Sequence, residues 1–262
     1  MRLAFFIYNS TMNSKYIFIA SFIGILFLSA CSASTPAPAQ TVLPTPIVPS
    51  QTPPKTATAT LTSTPVPTAS EVPTVIPMYF REEFNTDLNA WESFQTGGTN
   101  PPIVKLENES LRIDFSTADT WFYAVHTAHE YSNVSISASV NGLSGSVGLV
   151  CNYSEENGWY EFNIASDRTY SILFGQRLAD GVAKYVPIAN GVADILESGS
   201  LNYEIGLMCD ENNLKVFING VLFRSPDITS YDLSGGKIGV TASSYKEIPA
   251  IILFNWVKVS EQ

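Results

Sequence analysis

The chain's only two histidines, His126 and His129, stand three residues apart in TWFYAVHTAHEY, a spacing that can hold a metal ion on a helix. That stretch reads as a strand, where residues three apart point to opposite faces, so no shared metal is expected. Asp114, Glu161 and Glu204 lie singly in strand-like runs. A general acid/base pair would therefore need carboxylates brought together by folding. Asp210-Glu211-Asn212-Asn213 offers hard oxygen ligands in a loop but lacks the alternating spacing of a dedicated calcium loop. The sequence holds no G-x-S-x-G elbow, phosphate-cradling glycine loop, C-x-x-C pair or zinc-type spacing. No catalytic residue, metal site or cofactor is assigned. The side chains best suited to a ligand are aromatic: Trp121, Trp159, Tyr160, Tyr170 and Tyr185 lie in or beside runs rich in Asn, Ser and Asp, where a sugar ring could stack while its hydroxyls bond nearby polar groups. Each can equally be packing. Trp91 and Trp256 read as core.

The segments that deliver these residues begin with an export address. Lys15 precedes the apolar run YIFIASFIGILFL, which closes on Ser29, Ala30 and Cys31 in the order of a secretory signal. About thirteen apolar residues fall short of the roughly twenty that span a bilayer. Leu28-Ser29-Ala30-Cys31 resembles the lipobox of bacterial lipoproteins, and that resemblance implies cleavage before an acylated Cys31. Several acyl chains, at about 0.8 kcal/mol per buried methylene, would hold the protein on a membrane, in the cell envelope and outside the cytoplasm. Met12 is an alternative start. Residues 1–30 are thus read as a signal peptide and residues 31–77 as a lipid-anchored stalk. Eleven of the 16 prolines fall in that stalk, with Lys55 and Glu71 its only charges, so it is expected to be disordered and extended, at most about 140 Å long. Removing the signal leaves 12 basic against 24 acidic residues, a balance that disfavours nucleic acid as a partner.

Residues 78–262 read as one all-β domain. Val134-Ser135-Ile136-Ser137-Ala138-Ser139-Val140 alternates strictly, as a half-buried strand requires. Similar runs cover Leu111–Phe115, Trp121–His126, Ser146–Tyr153, Trp159–Ala165, Tyr170–Gln176, Tyr203–Cys209, Leu214–Ile218, Lys237–Thr241 and Ile251–Val259. Asn219-Gly220 between LKVFI and VLF predicts a type I′ hairpin. Many short strands with such turns predict a two-sheet antiparallel sandwich or jelly roll. Cys151 and Cys209, in matching GLVCN and GLMCD contexts, are read as a disulfide formed outside the cytoplasm, with two buried thiols as the alternative.

The ordered set YFREEFNTDLNAW, GLVCNYSEENGWYEFNIASDRTYSI, NYEIGLMCDENNLKVFINGVLF, SGGKIGVTAS and IILFNWVKV resembles the concanavalin A-like lectin/glucanase superfamily, nearest to laminin-G-like jelly rolls and the sandwich of 3-keto-disaccharide hydrolases. The resemblance covers Tyr79 to Gln262 and implies a jelly-roll fold; calcium is common in that superfamily. Its family-16-type glucanases carry E-x-D-x-x-E on one strand, and that spacing is absent here. Three readings follow. A non-catalytic lectin-like module binding a glycan or envelope component leads. An oligosaccharide-active enzyme and a protein-interaction or structural module are the alternatives.

Overall fold

The computed structural model describes residues 76–199 and 201–262; the signal peptide, Cys31 and nearly all of the stalk expected from the sequence lie outside the described residues. Every regular element among the described residues is a strand: β1 (Phe80–Glu82), β2 (Trp91–Gly97), β3 (Ile103–Leu106), β4 (Leu111–Phe115), β5 (Thr120–Tyr131), β6 (Val134–Gly142), β7 (Ser146–Ser154), β8 (Gly158–Ala165), β9 (Thr169–Ala179), β10 (Val182–Val192), β11 (Leu201–Cys209), β12 (Leu214–Ile218), β13 (Val221–Arg224), β14 (Gly236–Ser243) and β15 (Ala250–Ser260). They form two antiparallel sheets. The eight-stranded sheet runs β13-β12-β11-β6-β15-β4-β3, with β1 paired to β15, and the seven-stranded sheet runs β10-β9-β8-β7-β14-β5-β2.

Period-two alternation builds the core between them. In β6, Val134, Ile136, Ala138 and Val140 are fully buried, while Ser135, Ser137 and Ser139 face outward half-buried. Phe162, Leu149 and Val240 answer them from the seven-stranded sheet. The turn at Asn219-Gly220 takes φ of 51° and 74°, as the type I′ hairpin between β12 and β13 demands. Cys151 on β7 and Cys209 on β11 form a disulfide that ties one sheet to the other.

Trp256 departs from its expected core position. A register shift between Phe254 and Trp256 lets Phe254 and Val257 take the inward places, and Trp256 is left on the surface beneath the Arg81 guanidinium, 4.1 Å away. Trp91 is buried as expected.

His126 points into the same core, its ring 4.5 Å from Phe80 and 5.1 Å from Trp91, with Nδ1 unpartnered. Burial, with the His129 charge adding, lowers its pKa to about 4. The unfolded chain, with an ordinary histidine, binds the proton first, so folding stability is lost as pH falls from about 6.5 to 4. The loss should be on the order of 3 kcal/mol. Urea titrations at the two ends of this range should show it as the difference between the parent and His126→Phe; an equal slope in the variant would remove His126 as the cause.

Candidate functional site

The seven-stranded sheet's other face is not open. Its outermost strands meet: the Gly97 amide donates to the Gly181 carbonyl (3.0 Å), and Thr96 Oγ1 lies 2.7 Å from the Tyr185 hydroxyl. The sheet thereby curls onto itself around a second, smaller core of Tyr123, Val125, Val150, Tyr153 and Trp159, with Phe94, Trp121 and Tyr185 packed against it. Interior positions of small rolled sheets are filled by side chains in this way. Glycines make the room: a Cβ on Gly175 would stand 2.3 Å from the Trp159 ring, and one on Gly148 would stand 2.3 Å from Asn163 Oδ1.

At the centre sits Glu161, 0% exposed. Alternation along β8 places Trp159, Glu161 and Asn163 on this enclosed face. Trp159 Nε1 (2.7 Å) and the Tyr123 hydroxyl (3.0 Å) donate to one carboxylate oxygen, and Asn163 Nδ2 donates to the other. Burial raises the Glu161 pKa, and the three donors hold part of that rise back. Because Tyr123 spends its one hydrogen on the carboxylate, Tyr185 donates to Tyr123 across 2.9 Å, and Thr96 in turn donates to Tyr185. The result is a continuous polar chain from strand edge to buried charge. Burial first, and then the nearby Glu161 charge, push the Tyr185 hydroxyl up to about 12, while its hydrogen bonds with Thr96 and Tyr123 hold part of that rise back.

Two mouths remain. At one, Trp121 lies 6.1 Å from Tyr185 and 6.1 Å, edge-on, from Tyr245, which is 40% exposed. Tyr245 also walls a cavity of about 290 Å³ with Ser166, Asp167, Thr169, Lys246 and Glu247. At the other, the Arg177 guanidinium covers the Phe94 ring at 5.0 Å and pairs with Glu155 and Asp180. A polar cavity of about 550 Å³ adjoins that end, lined by Glu130, Tyr153, Glu155, Asn157 and Lys237 among others.

Of the five aromatic candidates, the fold gathers three. Trp121, Trp159 and Tyr185 share the enclosed face, Trp159 wholly buried and Trp121 at the mouth. Tyr160, next to Trp159, necessarily points the opposite way into the core between the sheets, and Tyr170 does the same, its hydroxyl accepting from Arg224 Nε at 2.9 Å. Phe94, Tyr123 and Tyr245 join the site without having been marked in the sequence, since nothing in their local spacing reveals the closure that recruits them. Asp210 spends its carboxylate on Asn212 and Asn213. Among the described residues, no group of three or more His, Cys, Asp or Glu is placed to hold a metal ion.

The fold is that of the concanavalin A-like sandwiches. A Bacillus subtilis protein described as of unknown function with a galectin-like fold superposes with a TM-score of 0.52 at 13% identity, over 70% of this chain and 98% of its own. A carbohydrate-binding module, CBM66, from Bacillus subtilis (TM-score 0.46, 13% identity, 63% of this chain and 91% of its own) and a Bacillus licheniformis β-glucanase (0.49, 14%, 70% and 98%) are similar at lower scores. No family profile matches the sequence. No curated protein matches it either.

Proposed function

We propose that this domain is a non-catalytic binding module, held outside the cytoplasm by a lipid on Cys31, whose mouth at Trp121, Tyr185 and Tyr245 takes a glycan or another polyhydroxylated envelope component. The observation that carries the reading is the pairing at that mouth of part-exposed aromatic faces with a cavity rimmed by hydroxyl, carboxylate and ammonium groups. Such sites sit in the mouths of rolled sheets, where apolar walls orient a ligand and a few polar groups select it. The interior supports binding over hydrolysis. Glycoside cleavage uses two carboxyl groups flanking the bond, whereas Glu161 is the one fully buried carboxylate among the described residues and already accepts from three donors. The disulfide suits an exported domain.

The test is binding of the purified protein to a broad panel of polysaccharides and oligosaccharides, with product analysis. Saturable binding without product release is expected. Trp121→Ala should weaken it roughly tenfold or more, about 1.4 kcal/mol, measured at a temperature where the variant remains folded. Released product would move the protein to the enzymes.

A further inference from the structure

Three neighbouring ladders lose register together at the Arg177 end of the seven-stranded sheet: between Gly236 and Ile238 against β5, between Lys237 and Gly239 against β7, and between Cys151 and Ser154 where β7 meets β8. Such irregularities splay strands and re-aim side chains. Ser154, Gly236 and Lys237, which flank them, line the polar cavity of about 550 Å³. Part of its lining is bare main chain. Gly235 and Gly236, at φ 136° and 149°, lie so close to their neighbours that a Cβ would stand 2.9 Å from the Tyr131 carbonyl oxygen on the first and 2.6 Å from the Asn152 carbonyl carbon on the second. Buried Asn152 donates through Nδ2 to the Leu233 carbonyl at 3.0 Å and so holds the loop that carries Ser234. The cavity has the size that takes a small molecule rather than a folded partner.

Two opposite charges line this cavity without a partner. Among the described residues, neither the part-buried Lys237 ammonium nor the exposed Glu130 carboxylate forms an ion pair or a side-chain hydrogen bond, whereas Glu155 already faces Arg177 at 3.3 Å. The side chains of Ser132, Asn157 and Ser234 on the same walls are also uncommitted within the described chain. These charges decide what fits. An anion would meet Glu130 and Glu155, a cation would meet Lys237, and a neutral sugar would strip water from both charges while giving neither an ion partner. A ligand with its own ammonium and carboxylate answers both through charge-assisted hydrogen bonds.

We propose that this cavity is a second binding site, for a short zwitterionic peptide whose carboxylate bonds Lys237 and whose ammonium bonds Glu130, with Ser132, Asn157 and Ser234 meeting its amides. It is separate from the glycan mouth, because Trp121 and Glu130 stand near opposite ends of β5, about 30 Å apart at the rise of an extended strand. The test titrates isotopically labelled protein with diglycine, triglycine and tetraglycine, whose only charges are their termini, and follows the amide resonances of Gly235 and Gly236. Saturable shifts with at least one of the three are expected. Amidating the peptide's carboxylate should cost roughly tenfold or more in affinity, and acetylating its ammonium roughly threefold or more, since Glu130 is the more solvated of the two protein charges. Glu130→Gln should weaken the free peptide as acetylation does and cost nothing further against the acetylated one; Lys237→Gln should do the same for the amidated one. Capped and free peptides binding alike would overturn the zwitterion, as would neutral oligosaccharides moving the same resonances with equal affinity. No saturable shift with any peptide would overturn the site and leave glycan binding at Trp121, read by the oligosaccharide panel, standing.

Discussion

Glu161→Ala is expected to destabilise the domain by on the order of 4 kcal/mol. It leaves the Trp159 indole, the Tyr123 hydroxyl and the Asn163 amide without an acceptor in a space that water does not reach, and it opens a void besides. Glu161→Gln separates shape from charge. Its carbonyl can still accept from Trp159 and Tyr123, and an Asn163 amide turned over accepts from the new NH2 group. With the burial penalty on the charge removed, the glutamine variant should match or exceed the parent at neutral pH. The pH dependence gives a second reading of the same group. The folded-state pKa of Glu161 is raised, so the folded protein holds its proton longer than the unfolded chain, and stability falls as pH rises above the ordinary glutamate value. This slope opposes that of His126, and each vanishes in its own variant. Denaturant unfolding of both variants across pH checks the pair; an alanine variant as stable as the glutamine one would mean that the three donors find other partners.

Removing the Cys151–Cys209 bond should be as costly. The two cysteines are 58 residues apart, and closing a loop of that length restricts the unfolded chain by about 4 kcal/mol in the chain-entropy model. Here the loop contains the strands from β8 to β11, including β10, which closes the second core. The double variant Cys151→Ala/Cys209→Ala, compared with the parent in urea, should unfold at a clearly lower midpoint. Because both sulfurs are buried in the core between the sheets, reductant should act on the parent only as it unfolds. Coincident curves for parent and variant would contradict the role given to the bond.

What the sequence makes legible divides along physical lines. Strands β4 to β9, β11, β12, β14 and β15 announce themselves because each alternates or carries a continuous apolar run between turn residues, and the Asn219-Gly220 hairpin follows from backbone sterics alone. The sequence reading marks neither β2 nor β10. Strand β2, WESFQTG, is mostly polar, and β10 carries Pro187 and Gly191 with no clean alternation, as an edge strand can. Those are the two strands whose contact closes the sheet. Glu161 therefore looked like an isolated carboxylate, although its partners Trp159 and Asn163 stand two residues away on each side of it. Tyr123 reaches it from 38 positions upstream, and no local pattern encodes that approach. Trp256 shows the same limit at shorter range: one bulge in β15 reverses the face that alternation assigns to it.

Glycan recognition by this domain requires the mouth at Trp121. Titration calorimetry of the protein and of Trp121→Ala against each glycan retained in the panel tests it most directly. Saturable binding by the parent, lost or weakened roughly tenfold in the variant, with the glycan recovered uncleaved, is the predicted result. Equal binding by the two proteins would place the ligand elsewhere on the domain, and no binding by the parent would contradict glycan recognition itself.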